Sequence, residues 1–159
     1  ALNYKASVIQ IGLQNHYFTS MSTTLTNDDG EKYTGEVNSN QQPHGYGSYS
    51  YANRDTFEGH YQNGKRHGMG TYRFSDGTYY KGEYQNGKKH GQGTYKMQGG
   101  TYTGEFRNGE MEGYGEWRSD QGDVYTGEFR SGRREGQGTY RWADGTVKSG
   151  SWRNDQFQD

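Results

Sequence analysis

The chain has 159 residues, of which 26% are hydrophobic, 16% are aromatic and 27 are glycines, and its formal net charge is -1. The length is typical of one folding unit, and a charge near zero gives no electrostatic basis for bulk nucleic-acid binding. Because the chain has no cysteine, disulfides and thiolate metal sites are excluded.

Residues 1–30 lie outside any repeat. Ile9, Ile11 and Leu13 alternate with polar residues, which favours an extended arm that pairs with the edge of a sheet or docks on another protein. A disordered leader is the alternative. Residues 19–30 are polar and turn-rich, as is typical of a linker. Because the chain begins at Ala1 rather than methionine, the possibility that a targeting peptide has been removed stays open.

From residue 31 onward, glycines recur in phase every 22 to 24 residues. The first set of markers is Gly35, Gly59, Gly82, Gly104, Gly127 and Gly150. Gly-x-Gly pairs such as Gly91/Gly93 keep the same phase. A fixed period of this size indicates an array built from one supersecondary unit. We therefore divide the chain into a non-repeat arm and linker (1–30), a repeat array (31–154) and a short tail (155–159).

The stretch from Tyr80 to Tyr95 shows what one unit is. Rings and glycines alternate with polar residues on both sides of Asn86-Gly87. A period of two predicts strands, and Asn-Gly between two strands predicts a tight hairpin turn. The glycines opposite the rings leave bare backbone on which a neighbouring ring can lie. The predicted fold is all-β: an elongated single-sheet solenoid of about six tandem β-hairpins with an aromatic, partly open concave face.

The repeated unit resembles the MORN repeat, which reads roughly Tyr-x-Gly-Glu-Tyr/Phe-x-x-Gly-x-x-x-Gly-x-Gly-x-Tyr. Three stretches match this pattern throughout: Tyr80 to Tyr95, Tyr102 to Trp117 and Tyr125 to Tyr140. The second copy carries His60 for the usual glutamate, and the first carries Val37 for the second ring. The last copy is a stub, in which Lys148 replaces the opening ring.

This resemblance implies an interaction module that holds a partner segment in an aromatic groove. MORN arrays occur in cytoskeletal and ciliary scaffolds, in junctional membrane proteins, and as appendages of lipid kinases and methyltransferases. We therefore expect a cytoplasmic protein associated with the cytoskeleton or a cilium. The carboxylates Glu36, Glu83, Glu105 and Glu128 resemble the family's structural glutamate rather than a converging acid–base pair.

Rings on one face of a single-layer sheet predict a partner groove. No second layer covers that face, so part of it stays open and forms an interface. The predicted groove residues are Tyr33, Phe57, Tyr80, Tyr102, Tyr125, Tyr72, Tyr95, Trp117 and Tyr140. The leading hypothesis is a non-catalytic scaffold or accessory subunit that binds a partner protein segment in this groove within a larger assembly. Whether the chain forms a homo-oligomer stays open.

The hairpin loops suggest a second hypothesis. Basic pairs recur in three of them: Lys65 and Arg66, Lys88 and Lys89, Arg133 and Arg134. In a solenoid these loops lie along one edge, and the resulting basic ridge would contact anionic lipid headgroups. The alternative function is therefore a peripheral membrane tether. A solvated edge that discourages strand pairing is the simpler interpretation of the same charges.

No motif indicates a cofactor, a metal or an active site. His44, His67 and His90 recur before successive Gly-x-Gly pairs. Equivalent positions of adjacent hairpins are about 10 Å apart, which is too far for two imidazoles to share one zinc. We interpret them as loop residues that the repeat carries. The sequence has neither a phosphate-binding glycine loop nor a Gly-x-Ser-x-Gly elbow, so we expect no enzyme.

Overall fold

The computed structural model describes residues 5–8 and 22–159, with the backbone alone for residues 5–8. In these ranges, fourteen strands form one antiparallel sheet, and each strand pairs with its neighbours in the sequence. The strands are β1 (Lys5–Val8), β2 (Thr23–Thr26), β3 (Lys32–Val37), β4 (Pro43–Ser50), β5 (Thr56–Gln62), β6 (Lys65–Arg73), β7 (Tyr79–Gln85), β8 (Lys88–Met97), β9 (Gly100–Arg107), β10 (Glu110–Ser119), β11 (Val124–Arg130), β12 (Arg133–Arg141), β13 (Val147–Arg153) and β14 (Gln156–Phe157). The predicted all-β hairpin solenoid is confirmed.

The hairpin turns have the conformation that their sequence predicts. Asn86 and Gly87 join β7 to β8 with φ angles of 51° and 86°. Two consecutive residues with positive φ are typical of the type I′ turn, which matches the twist of the flanking strands. The first hairpin carries an extra residue in its loop, where the backbone N–H of Asn38 donates to the carbonyl of Gln42. The insertion therefore lies in the loop and leaves the strand register unchanged.

The opening ring of each repeat lies on the backbone of its own glycine pair. A methyl group built on Gly93 would lie 2.5 Å from the hydroxyl oxygen of Tyr80 and 2.6 Å from its ring. The Tyr80 hydroxyl donates to the carbonyl of Glu83 at 2.9 Å, at a point where the strand register shifts. Tyr33, Tyr102 and Tyr125 make the same bond. Glycine is required here because any side chain would occupy the place of the ring.

The core is a continuous line of rings in edge-to-face contact. Tyr80 contacts Tyr84 with ring centroids 5.2 Å apart and Phe106 at 4.9 Å, at interplanar angles of 89° and 82°. Edge-to-face pairs are favourable because the positive edge of one ring meets the negative face of the next. The contacts run in the order Tyr33, Tyr61, Phe57, Tyr84, Tyr80, Phe106, Tyr102, Phe129, Tyr125, Trp152 and Phe157.

The ends of the array differ from the predicted boundaries. Residues 19–30 were predicted to be a linker, but Thr23–Thr26 forms β2 and pairs with β3. Leu25 lies opposite Tyr33 and is fully buried, so β2 covers the first hairpin as a terminal cap. A largely polar stretch gave little sign of this. The predicted arm at Ile9, Ile11 and Leu13 lies outside the described residues. At the other end, the predicted tail (155–159) contains β14.

The second face of the sheet carries the structural glutamates. The carboxylate of Glu83 accepts the backbone N–H of Gln92 at 3.0 Å, just after Gly91, whose φ is 58°. Glu36, Glu105 and Glu128 accept the equivalent N–H in their own repeats. Each carboxylate therefore satisfies a backbone donor that the bulge leaves out of the ladder. Their predicted structural role is confirmed.

Candidate partner-binding surface

The aromatic face of the sheet has two rows of rings at different depths. The opening rings Tyr33, Phe57, Tyr80, Tyr102 and Tyr125 are at most 1% exposed. They were predicted to line the groove, but they lie beneath its surface and have no area to offer a partner. The rings of the returning strands in repeats two to five are only partly buried. These are Tyr72, Tyr95, Trp117 and Tyr140, and they belong to the predicted groove set.

We call the upper set of side chains the outer row. Its members are Tyr51, Tyr72, Phe74, Tyr95, Met97, Trp117, Tyr140 and Trp142. Neighbouring rings are tilted against one another, with centroids 5.4 Å apart for Tyr51 and Tyr72 and 6.1 Å for Phe74 and Tyr95. The predicted groove set did not include Tyr51, Phe74, Met97 and Trp142. Each lies two residues after a returning-strand position, so the period of two was a sufficient signal.

Carboxylates fix the outer-row tyrosines of repeats two and five. Asp55 accepts the hydroxyl of Tyr72 at 2.7 Å and the backbone N–H of Ser75 at 2.8 Å. These bonds hold the pKa of Asp55 below its usual value, while burial and the bond to Asp55 raise the pKa of Tyr72. Asp123 accepts the hydroxyl of Tyr140 in the same way at 2.9 Å. The rings of repeats two and five are thereby held in one orientation.

Repeats three and four lack this carboxylate. Thr78 and Gly100 take its position in the sequence. Within residues 22–159, the hydroxyl of Tyr95 and the indole N–H of Trp117 have no hydrogen-bond partner. A side chain on Gly100 would collide with Trp117, since a methyl group there would lie 3.0 Å from the indole nitrogen. The middle of the outer row therefore presents two donors that a bound segment can use.

The six residues of the predicted basic ridge do not lie on one side. Lys65, Lys88 and Arg133 are exposed. Arg66, Lys89 and Arg134 are partly buried and cover the rings of the aromatic face. The guanidinium carbon of Arg66 lies 5.1 Å from the centroids of both Tyr72 and Tyr84. Successive residues of a strand point to opposite faces, so each basic pair is divided between the loop edge and the aromatic face.

The three ring-facing cations have different polar partners. Arg134 pairs with Asp155 at 3.1 Å, and Arg66 donates to the carbonyl of Gly87 at 3.0 Å. Lys89 lies 3.5 Å from the ring centroid of Tyr95 and has no ion pair in the part of the chain that the structure describes. Burial, together with the nearby charge of Arg66, lowers the pKa of Lys89 to about 8.

Comparison with known proteins identifies the array. The MORN repeat family matches five consecutive segments, at residues 33–56, 57–79, 80–101, 102–124 and 125–147. The chain belongs to the MORN repeat family. No curated protein matched it. Among solved structures, the MORN chain is similar to the SAS-4 (dCPAP) TCP domain in complex with a Proline Rich Motif of Ana2 (dSTIL) of Drosophila Melanogaster. The identity is 9%, the TM-score is 0.44, and the match covers 91% of this chain and 99% of that one.

Two depressions open on the aromatic face of the MORN array. The first, of about 350 Å³, is lined by Arg66, Tyr72, Phe74, Tyr84 and Lys89 together with the turn residues Gly87, Lys88, Asn108 and Gly109. The second, of about 240 Å³, is lined by Met97, Met111, Trp117, Phe129, Gly132, Arg134, Tyr140 and Asp155. Met111 takes the place in repeat four that Lys89 has in repeat three. The face is therefore cationic at repeats two and three and apolar at repeat four.

The histidines of the MORN array form no metal cluster. His44 accepts the backbone N–H of Asn63 at 3.4 Å, and the Nδ1 atom of His67 is buried without a partner in the described part of the chain. Among the residues described, no group of three or more His, Asp or Glu could hold a metal ion. In the same ranges, no helix is long and apolar enough to cross a membrane.

Proposed function

We propose that the chain is a non-catalytic scaffold or accessory subunit that binds a segment of a partner protein on its outer row, within a larger assembly. MORN arrays are generally non-catalytic interaction modules. The observation that carries the proposal is the division of the aromatic face into a fully buried row and a partly exposed row. The first row stabilises the fold, which leaves the second available for binding.

The chemistry of the outer row suits a protein segment. Its rings and Met97 give apolar surface on successive repeats, and such surfaces mark interfaces. Tyr95 and Trp117 add hydrogen-bond donors in the middle of the row, beside the aromatic surface that a partner would bury. Tyrosine and tryptophan are the side chains that most often dominate binding energy at interfaces. An extended or helical segment laid across the repeats would meet one such ring in each.

The test is capture of the native partner by the full chain and its variants. Tyr95→Ser with Trp117→Ser removes the two central rings of the outer row. Met69→Ser with Tyr114→Ser is the matched control, because these side chains are 52% and 59% exposed on the other face of the same array. We expect the first variant to lose about 2 kcal/mol or more of binding free energy, the size of a hot-spot loss, and the control to bind as the natural chain does.

Thermal unfolding of both variants must accompany the capture. A double variant that is still folded at the assay temperature and retains full partner binding would contradict the proposal. Equal losses in both variants would also contradict it, because they would show that binding does not depend on the outer row. The cytoskeletal or ciliary setting and the cytoplasmic location stay predictions.

A membrane tether receives less support as an alternative. Of the six residues of the predicted ridge, Lys65, Lys88 and Arg133 are exposed, and Arg133 donates to the side chain of Asn154 at 3.3 Å. Each basic side chain near an anionic surface contributes about 1 kcal/mol, so three give weak binding that salt removes. Co-sedimentation with vesicles that persists at physiological ionic strength, and is lost on neutralising these three residues, would favour the tether instead.

A further inference from the structure

We propose that the partner segment binds with carboxylates on Arg66 and Lys89 and with a large apolar side chain in the depression beside Met111. This inference rests on the proposed function and names the chemistry of the partner. The ligand is thus an acidic–apolar protein segment that runs across repeats two, three and four. The aromatic face has three relevant features. Two of its cations have no counter-ion, the equivalent cation of repeat five does pair with a carboxylate, and the face changes from charged to apolar at repeat four.

The first observation is the pair of cations without a counter-ion. Within the described ranges, neither Arg66 nor Lys89 lies in ion-pair distance of a carboxylate. Both are partly buried on adjacent repeats, so their positive charges face each other across an aromatic surface of low polarity. A partly buried charge without a partner is costly, and an anion that binds between the two relieves that cost. Charge complementarity therefore selects an acidic partner.

The second observation comes from the fifth repeat, where the chain itself supplies the carboxylate. Arg134 occupies the same repeat position as Arg66 and Lys89, and Asp155 lies in the turn of the next hairpin beside it. One oxygen of Asp155 accepts from the backbone N–H of Arg134 at 3.0 Å and from its Nε at 3.1 Å. Repeat five therefore already contains an ion pair between a cation at this position and a carboxylate.

The internal repeats have glycine where repeat five has this aspartate. Gly87 and Gly109 take the turn position of Asp155 beside Arg66 and Lys89, respectively. Both glycines line the larger depression, so space is open where the Asp155 side chain lies at the end of the array. Arg66 retains only the backbone part of the contact, through the carbonyl of Gly87. A carboxylate from a partner would restore what Asp155 provides.

The groups around Lys89 make its charge sensitive to such a carboxylate. It is faced by the rings of Tyr80, Tyr95 and Phe106 at 5.1, 3.5 and 5.9 Å, and the charged neighbour is Arg66. Tyr84 lies at the base of the same depression, and its buried hydroxyl has no hydrogen-bond partner among residues 22–159. No carboxylate of the described part of the chain pairs with Lys89, so an acidic side chain of the partner can form an ion pair with it.

The third observation sets the order of the partner's side chains. Equivalent positions of adjacent repeats are two strands apart, or about 10 Å. An extended segment covers that distance in about three residues, and a helix in about seven. The expected order is therefore acidic at Arg66, acidic at Lys89 and apolar at Met111, at that spacing. A lipid bilayer fits poorly, because both cations lie against the rings rather than at the exposed loop edge.

The test uses a random dodecapeptide display library selected on the full chain. We expect the enriched peptides to combine one or two carboxylates with a large apolar residue. Their affinity should fall about tenfold or more with Lys89→Met, as for other partly buried charge pairs, and likewise with Arg66→Met. Lys81→Met is the control, because Lys81 is an exposed cation on the opposite face of β7. No enrichment, enrichment of neutral or basic peptides, or equal binding to all variants would overturn the inference.

A pH profile separates a charge interaction from a general structural effect. The affinity of an enriched peptide should fall between about pH 7 and about pH 9.5, as Lys89 loses its proton. Lys89→Arg should bind throughout that range, because arginine stays charged. The same dependence of affinity on pH for the natural chain and for Lys89→Arg would count against the inference. Preferential binding to vesicles with about 30% phosphatidylserine, lost in Lys89→Met, would assign the cations to a membrane and overturn it.

The inference and the proposed function can fail separately. If the native partner still requires Tyr95 and Trp117 but is indifferent to Arg66 and Lys89, the outer row is the binding surface and its partner is not acidic. If the native partner binds without regard to any of the four residues, the proposed function itself is wrong. The two sets of variants therefore distinguish the two failures.

Discussion

The ring of Tyr80 and the bare backbone of Gly93 form a contact that a double-mutant cycle can measure. Tyr80 is fully buried, and a methyl group on Gly93 would meet its hydroxyl oxygen at 2.5 Å and its ring at 2.6 Å. Carbon atoms pack best at about 3.5–4.0 Å, so the two cannot coexist without displacement of the ring. The relevant variants are Gly93→Ala, Tyr80→Ala and the combination of both.

The expected magnitudes follow from burial and packing. Truncation of a buried aromatic residue costs about 3–5 kcal/mol, so Tyr80→Ala should lower the free energy of unfolding by about 4 kcal/mol. Overpacking costs about 1–3 kcal/mol, which puts Gly93→Ala near 2 kcal/mol. Alanine can adopt the backbone conformation of Gly93, which is outside the positive-φ region. In the double variant the space left by the ring accommodates the methyl group, and the cost of Gly93→Ala should vanish.

The assay is urea unfolding of the four chains, followed by circular dichroism and tyrosine fluorescence. We expect a coupling energy of about 2 kcal/mol between the two positions. Tyr80→Phe serves as control: it removes the hydroxyl bond to Glu83 but keeps the ring, so the penalty of Gly93→Ala should persist. Additive effects of Gly93→Ala and Tyr80→Ala would refute the argument that glycine is required to make room for the ring.

Two further predictions concern pH. Burial lowers the pKa of Lys89 in the folded chain to about 8. Between about pH 8 and about pH 10 the unfolded chain therefore binds more protons than the folded chain, so stability increases with pH. Thermal unfolding at each pH should show this increase for the natural chain relative to Lys89→Met. The pKa of Asp55 is lowered in the folded state, so its stabilising effect is present above its ordinary pKa and is lost on acidification; Asp55→Asn should show a weaker acid destabilisation. A parallel pH dependence of variant and natural chain would refute either assignment.

The sequence was sufficient to predict the repeat unit and its strands. The phase of the glycines, the period of two from Tyr80 to Tyr84 and the Asn86-Gly87 turn are local signals, and the structure follows each of them. The position of the extra residue of the first repeat, in its hairpin loop, was also predictable. An insertion between strands is tolerated, whereas a shift of one residue within a strand turns every side chain to the wrong face.

The depth of the rings could not be predicted from the period. Tyr80 and Tyr95 lie on the same face and pair directly across two strands, so alternation treats them alike. Tyr80 lies on the backbone of Gly93 and is fully buried, whereas Tyr95, with its ring centroid 6.5 Å from that of Tyr80, is only partly buried. That distinction depends on the local register shift and on contacts with the neighbouring repeat. The rings of the predicted groove do share one face, but its five opening rings are buried. That a partner binds this face stays a prediction.

The position of the cations was predictable but was missed. Counting in steps of two from Tyr95 passes Gly93 and Gly91 and reaches Lys89, which places it on the aromatic face. The same count from Tyr140 reaches Arg134. Grouping adjacent basic residues as one ridge ignored this alternation. In contrast, the contact of Arg134 with Asp155 depends on the turn of the next hairpin, and only the structure reveals it.

The central claim is that a partner binds the outer row. Site-specific photo-crosslinking tests it most directly, with the photoreactive residue p-benzoylphenylalanine placed at Trp117 or at Tyr114 of the full chain in its native assembly. Both positions are on β10, but Trp117 belongs to the outer row while Tyr114 is 59% exposed on the opposite face. The account predicts a crosslink to a partner protein from position 117 and none from position 114. A crosslink from position 114 alone would contradict it.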